Sequence, residues 1–376
     1  GDWNVVKVLR VDEQRRAQYF LGVGREKARD PDFVHFYKEG LDGGKVRLLT
    51  PENANHEITL APSGEYFLDS YSRPDVPPTA VLRNADGKLL GTVEKSDIAG
   101  LVAAGWKPPI PITVKARDGV TDLYGLMFKP TSFDAARHYP IVNWIYPGPQ
   151  IGSVGSRSFA ASRGDRQALA ELGFIVVAID GMGTTFRSKK FHDAYYGNMR
   201  DNTLPDQVAA MQELAQRHSW IDLSRAGIYG HSGGGYAAAT AMLVYPDFFK
   251  VGIAESGNYD QRGYTDDWGD KFGISAQVAQ DDTSIANNLK GHLLLTHGTL
   301  DDNVPPNLTL MLVDSLIKAN KDFDLLMLPN QRHPYRGEAG SYMTRRRWDY
   351  FARYLLGAEP PHEYRLHAPG DAALDD

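Results

Sequence analysis

Three side chains able to perform acyl transfer occur in one order along this chain. The first is a serine in Gly230-His231-Ser232-Gly233-Gly234, between the apolar run Ala226 to Tyr229 and the small-residue segment Tyr236 to Leu243. Gly-x-Ser-x-Gly between a strand and a helix is a nucleophile elbow, a turn too sharp for a Cβ two residues before or after the serine. The serine is lifted clear of the sheet, above a helix N-terminus whose dipole favours the anion formed during acyl transfer. A glycine-rich turn for a nucleotide would instead show Gly-x-Gly-x-x-Gly and an acidic residue about 20 positions on; the glycines here fit that spacing poorly.

A serine hydroxyl needs a base, and the base needs an orienting carboxylate. In α/β-hydrolases the order is Ser, then Asp, then His. Asp301 follows the serine by 69 residues, in His297-Gly298-Thr299-Leu300-Asp301-Asp302-Asn303. His333 follows Asp301 by 32 residues, in Pro329-Asn330-Gln331-Arg332-His333. Both come just after apolar runs, where ligands of open α/β sheets bind. Asp302 competes with Asp301 for the orienting role, and Asp301 could instead cap the helix after Pro305. A calcium loop is excluded, because the position that needs glycine is Pro306. His231 should point away from the serine, His297 should pack, and His192 lacks the partners of a metal site. The run Arg345-Arg346-Arg347 reads as a solvated or salt-bridged helix face. No metal and no cofactor is expected.

The oxyanion of the tetrahedral intermediate needs two donors. The backbone N–H of Gly233 supplies one. The other should follow the run Ile141 to Tyr146, but Pro147 and Pro149 have no N–H. The Tyr146 hydroxyl is the plausible substitute, unless that ring is simply a core aromatic at a strand end.

These residues must be carried by a framework. From residue 112 on, short apolar runs alternate with helical patterns: Ile141 to Tyr146, Phe174 to Asp180, Ala226 to Tyr229, Val251 to Ser256, His292 to Thr296 and Phe323 to Leu328. This predicts a mostly parallel sheet covered on both faces. An antiparallel hairpin turning at Asp118-Gly119 opens it. Helices are expected from Leu204 (Val208, Met211, Leu214 and Ala215 inward), after Pro306 (Leu308, Met311, Leu312 and Leu316 inward) and over Thr344 to Leu356 (Trp348, Phe351, Leu355 and Leu356 inward). Residues 1–105 read differently, as about eight short strands with turns at Leu41-Asp42-Gly43-Gly44 and Asn84-Ala85-Asp86-Gly87, or roughly two propeller blades. A proline-rich linker over Gly105 to Ile112 divides the parts. The expected organisation is thus 1–105 β-rich, 106–360 catalytic and 361–376 a polar tail.

The 376 residues carry 41 Lys and Arg against 47 Asp and Glu, a net charge of −6. That argues against general nucleic-acid binding, which needs a basic face. No apolar run reaches membrane-helix length, and no signal peptide follows Gly1. The absence of Cys excludes thiolate chemistry and disulfides. The compartment stays open between bacterial periplasm and cytoplasm.

With these residues in view, the chain resembles the prolyl oligopeptidase family, most closely its bacterial dipeptidyl peptidase IV-like members. The resemblance rests on Tyr139-Pro140-Ile141-Val142 through Tyr146-Pro147-Gly148-Pro149, on Gly230 to Tyr236, on His297 to Val304 and on His333. It implies an α/β-hydrolase fold behind a partial propeller, and it favours Asp301 as the acid. It implies that Tyr146 is an oxyanion donor, that Asn303 contacts a substrate carbonyl, and that Tyr259 and Tyr264 line a pocket for a small residue such as proline. Val304 and Tyr236, inside the matching strings, join the substrate-binding set. Three departures stand out. Only the end of the propeller is represented, without the glutamate pair that grips a substrate's N-terminus. Gly233 stands where relatives with strict dipeptidyl activity often carry an aromatic. His333-Pro334 replaces the more usual His-Gly.

The expected function is a serine hydrolase acting through an acyl-enzyme on a peptide. A carboxylesterase acting on short esters is the close alternative, and a catalytically silent binding module the alternative of another class. A homodimer is possible by resemblance. Activity should rise with pH through the titration of His333.

Overall fold

The computed structural model describes residues 2–264, 268 and 280–366. The final ten residues of the expected tail lie outside them.

The N-terminal part is a pair of four-stranded antiparallel meanders. The first holds β1 (Asn4–Asp12), β2 (Ala17–Val23), β3 (His35–Gly40) and β4 (Arg47–Leu48). The second holds β5 (Asn55–Leu60), β6 (Tyr66–Arg73), β7 (Val76–Asn84) and β8 (Leu89–Lys95). Both glycine-containing turns fall between paired strands, where Gly43 and Gly87 adopt positive φ. At Gly87 a Cβ would stand 2.7 Å from the Leu49 carbonyl oxygen, so the turn tolerates no side chain. Ala17, Tyr19, Phe36, Leu49 and Phe67 form a small buried cluster.

A single sheet of eight strands organises the rest. Its order is β16-β15-β14-β13-β11-β12-β10-β9. The strands are β9 (Ile110–Lys115), β10 (Asp122–Phe128), β11 (Tyr139–Trp144), β12 (Ile175–Ile179), β13 (Ile221–His231), β14 (Phe249–Glu255), β15 (His292–Gly298) and β16 (Asp324–Leu328). β11 to β16 pair in parallel; β9 and β10 are antiparallel. Continuous apolar runs make both faces dry. Along β12, Ile175, Val177 and Ile179 join one core cluster while Val176 and Ala178 join the other. This is the mostly parallel α/β-hydrolase sheet, preceded by a β-propeller remnant.

Several local expectations need correction. The proline-rich linker is shorter than read, because β9 begins at Ile110 and contains Pro111. Pro111 is tolerated there because β9 is the edge strand and needs no donor on its open side. In the helix Asn307–Lys318, Met311 faces solvent, and Thr309 takes its place in the buried set with Leu308, Leu312 and Leu316. In the helix Leu204–Arg217, Val208 and Ala215 are only half-buried, while Asp206 and Gln207 are fully buried. Polar side chains displace apolar ones there because each finds a partner: Asp206 accepts from half-buried Arg117, and Gln207 from buried Asn143. The last helix starts earlier than read, at Gly337, and runs to Phe351 before one wider turn over Ala352–Leu356. Its Phe351 and Leu355 are buried; Trp348 and Leu356 are half-buried against the same cluster.

Candidate active site

Ser232 sits between the end of β13 and the helix Gly233–Val244, with φ +60° and ψ −123°. Such backbone costs on the order of 1–3 kcal/mol and persists only where surroundings enforce it. The enforcement here is steric. A Cβ on Gly230 would lie 2.5 Å from the carbonyl oxygens of Ile145 and Gly234, and one on Gly234 would lie 2.2 Å from that of Ile145. The turn is therefore wedged against the end of β11. On its other side the Ser232 N–H donates to the Glu255 carbonyl at 2.8 Å, tying it to β14. Gly233 is different: nothing lies closer than 3.8 Å to a Cβ built there, and the nearest atoms belong to Tyr146 and Trp268.

Asp301 is buried in the loop after β15. Its Oδ1 accepts the N–H groups of Asn303 at 3.0 Å and Val304 at 2.9 Å. Its Oδ2 accepts from Nδ1 of His333 at 2.7 Å. Burial opposes its charge, but His333 and the two backbone donors outweigh burial and hold the carboxyl below the usual carboxylate range. Asp302, the competing acid, is exposed and paired with Arg332 instead. Burial lowers His333 below the usual histidine range, against the opposing pull of Asp301. The imidazole is then neutral near pH 7, as a general base requires.

Tyr146 stands just past β11 and is half-buried, its hydroxyl accepting from Nε2 of Gln150 at 3.3 Å and near enough to Ser232 for the serine to bear on its titration. Burial pushes this phenol above its ordinary range, so it stays protonated and able to donate. Serine, acid, imidazole and phenol thus lie on the carboxyl-end side of the sheet, on the ends of β13, β15, β16 and β11.

Other assignments change. Tyr236 and Tyr259 are fully buried. Their hydroxyls donate to the carbonyls of Gln280 at 2.5 Å and Ala254 at 3.0 Å, and the rings fill the core. Val304 is buried as well, and its carbonyl faces Nε2 of His297 at 2.9 Å. These three are framework and present no surface to a substrate. Asn303 and Tyr264 remain at the surface, paired by a 2.9 Å hydrogen bond from the Tyr264 hydroxyl.

His231, expected to point away from the serine, packs its ring against two other rings. Its ring centre lies 4.8 Å from that of His333 and 5.3 Å from that of Tyr335. Its Nδ1 is 3.6 Å from Glu255. Arg347, from the triple-arginine run, is buried and joins Glu255 to Asp165. Burial opposes ionisation of Glu255, yet Arg347 and His231 hold its carboxyl below the usual range. Trp268 was also missed; it meets Tyr264 edge-on at 5.5 Å. No periodicity marks His231 or Arg347, because their partners lie far off in the chain. His297 packs as expected, between Thr309 and Val304. His192 donates from Nε2 to the Pro149 carbonyl at 2.9 Å and so steadies the segment after Tyr146.

Comparison with known proteins agrees with this architecture. The prolyl oligopeptidase family matches residues 160–358, and the dipeptidyl peptidase IV N-terminal region matches residues 1–78. Human dipeptidyl peptidase 8 is 32% identical over 368 residues, covering 89% of this chain and 39% of that protein. A Bacteroides ovatus structure described as a candidate dipeptidyl aminopeptidase IV superposes with TM-score 0.83 at 28% identity, covering 94% of this chain and 50% of its own. Porphyromonas gingivalis dipeptidyl peptidase 4 shares the fold, with TM-score 0.81 at 24% identity and the same coverage. The chain spans about 40% to half the length of these relatives. No helix among the described residues is long and apolar enough to cross a membrane. On the matched family and the hydrolase fold together, the chain belongs to the prolyl oligopeptidase family of serine peptidases.

Proposed function

We propose that this chain cleaves peptides through an acyl-enzyme on Ser232. The observation that carries the reading is the short Asp301–His333 hydrogen bond, with the His333 ring packed against His231, the neighbour of a serine held at a strained turn. His333 takes the serine proton as the hydroxyl attacks the acyl carbon, then gives it to the leaving amine. Asp301 fixes the tautomer with Nδ1–H toward itself and stabilises the imidazolium. The Gly233 N–H and the Tyr146 hydroxyl receive the oxyanion. The family resemblance favours a substrate with proline or alanine near the cleaved bond, with Asn303 and Tyr264 beside it.

A carboxylesterase is the second reading. The lack of a side chain at Gly233 favours it, because a small residue there leaves room for varied acyl groups. An ester also needs less leaving-group activation than an amide.

A fluorophosphonate probe tests the nucleophile. Labelling that disappears in Ser232→Ala is expected; an unlabelled wild-type protein would leave a silent binding module. Hydrolysis of Gly-Pro-p-nitroanilide against p-nitrophenyl butyrate separates the two chemistries: cleavage of the ester alone would reject the peptidase.

A further inference from the structure

The segment from Tyr146 to Arg157 links the candidate oxyanion phenol to the β-rich part of the chain. Near its start, the Tyr146 N–H donates to Oγ of Ser153 at 2.9 Å, and Gln150 reaches the Tyr146 hydroxyl. Farther on, the Val154 N–H donates to Oδ1 of Asp180 at 3.1 Å. Gly152 lies so close to the same carboxylate that a Cβ would meet it at 2.3 Å. At its end stands Arg157, with only 3% of its side chain exposed.

This guanidinium has four acceptors from three places in the fold. Nε donates to Asp30 at 3.0 Å, and Nη2 donates to Asp32 at 2.7 Å and to Asp180 at 2.8 Å. Nη1 donates to the Gly155 carbonyl at 3.1 Å. Asp30 and Asp32 lie between β2 and β3 of the first meander; Asp180 follows β12 of the hydrolase sheet. Neighbouring contacts run the same way. Asn55 donates to Oγ of Ser158 at 2.9 Å, and the Phe159 N–H donates to Oγ of Ser72 at 2.9 Å. Asp32, Arg157 and Asp180 themselves line a cavity of about 230 Å³, together with Val6, Val23 and Phe186, so the seam is not closed by apolar packing alone. A planar fork holds several donors in fixed directions and so sets the relative positions of the carboxylates it joins, which a freely rotating ammonium does less well.

We propose that Arg157 is a positioning residue: by joining Asp30 and Asp32 to Asp180 it fixes the Tyr146–Arg157 segment and holds the Tyr146 hydroxyl in register with Ser232. The proposal rests on the reading of Tyr146 as an oxyanion donor. It gives the β-rich part a task in the chemistry of this chain, apart from contact with substrate.

The test is a double-mutant cycle on fluorophosphonate capture, which passes through the same attack by Ser232. Rate and affinity of capture are measured for wild type, Tyr146→Phe, Arg157→Lys and the double variant. Lysine keeps the charge and loses the fork. The expected result is an approximately tenfold slower capture step for Arg157→Lys, with probe affinity within about twofold, since small displacements of a catalytic group are costly. In the Tyr146→Phe background the lysine substitution then adds nothing, because coupled residues are not additive. Independent losses that multiply in the double variant would overturn the role of Arg157 while leaving Tyr146 in the mechanism. A Tyr146→Phe variant that reacts as fast as wild type would overturn both. If Arg157→Lys fails to fold, Asp32→Ala in the same cycle removes the link from the β side, with the same two outcomes.

Discussion

The β-rich part and the hydrolase sheet keep their charged groups for opposite purposes. In the hydrolase part, two large apolar clusters cover the faces of one sheet and secure the fold. Its candidate catalytic charges stand at strand ends, where they can act. The β-rich part has one small apolar cluster. Val5, Val8, Val11, Leu89, Leu90 and Val93 stay exposed on its strands. Beside that cluster it encloses a charged network: Asp69 joins His56 at 2.8 Å and Arg83 at 2.9 Å, and Arg83 reaches Glu52 at 2.6 Å. Glu52, His56 and Asp69 come close enough to suit a metal ion, but a guanidinium already bonds both carboxylates. The contrast teaches that a titratable cluster means chemistry only where it opens onto a site; enclosed in a thin sheet it serves as structure.

The comparison can be broken at its structural end first. Arg83→Met leaves Asp69 and Glu52 facing each other without their cation, and losing one partner of a buried pair costs about 3–5 kcal/mol. Denaturant unfolding should show that loss, with fluorophosphonate labelling of the remaining folded protein unchanged. A variant as stable as wild type would mean the network is dispensable.

At the chemical end, Tyr146→Phe should lower turnover roughly 10²-fold, as expected for loss of one oxyanion donor, with the unfolding midpoint unmoved. Equal turnover would remove the phenol from the mechanism.

The pH dependence sharpens the same contrast. His333 works only when neutral, and its folded pKa is lowered by burial. The rate should therefore be full at neutral pH and fall only as pH drops through a value below about 6.5, the ordinary histidine pKa. A rate–pH profile whose acid limb lies above that value, or a flat profile from pH 5 to 9, would contradict it.

The smallest effect lies inside the elbow. Gly233→Ala adds a Cβ at ordinary van der Waals distance from Tyr146 and Trp268 and gains helix propensity, so stability should change by no more than about 1 kcal/mol. Gly234→Ala, one residue on, drives its Cβ into the Ile145 carbonyl and should lose clearly more in thermal unfolding. Equal effects at the two positions would deny that the turn is wedged against β11.

The elbow and the alternating apolar runs were legible because their causes are local: a turn without room for a Cβ, and strands that meet apolar surface on both sides. Which neighbours meet across the fold was not. Tyr236 and Tyr259 read as pocket tyrosines, yet both are sealed in the core, and nothing in their spacing separates the two fates. Arg347 read as part of a solvated or salt-bridged helix face; it is salt-bridged, but to a glutamate 92 positions away. The arginine run alone offered no sign of which member would be buried. His231 was read from the direction of a turn, whereas its place was set by the loop that brings His333 against it.

By itself, then, the sequence determined the kind of chain this is: an order of serine, acid and imidazole at strand ends, a hydrolase sheet, and a β-rich part built of two meanders. Tertiary structure decided the rest. It chose Asp301 over Asp302 by burying one beside His333 and leaving the other to Arg332. It tied the segment after Tyr146 to the β-rich part through Arg157. The physical reason is range: steric limits and hydrophobic periodicity act over a few residues, whereas a hydrogen bond or buried charge depends on which distant backbone arrives within 3 Å.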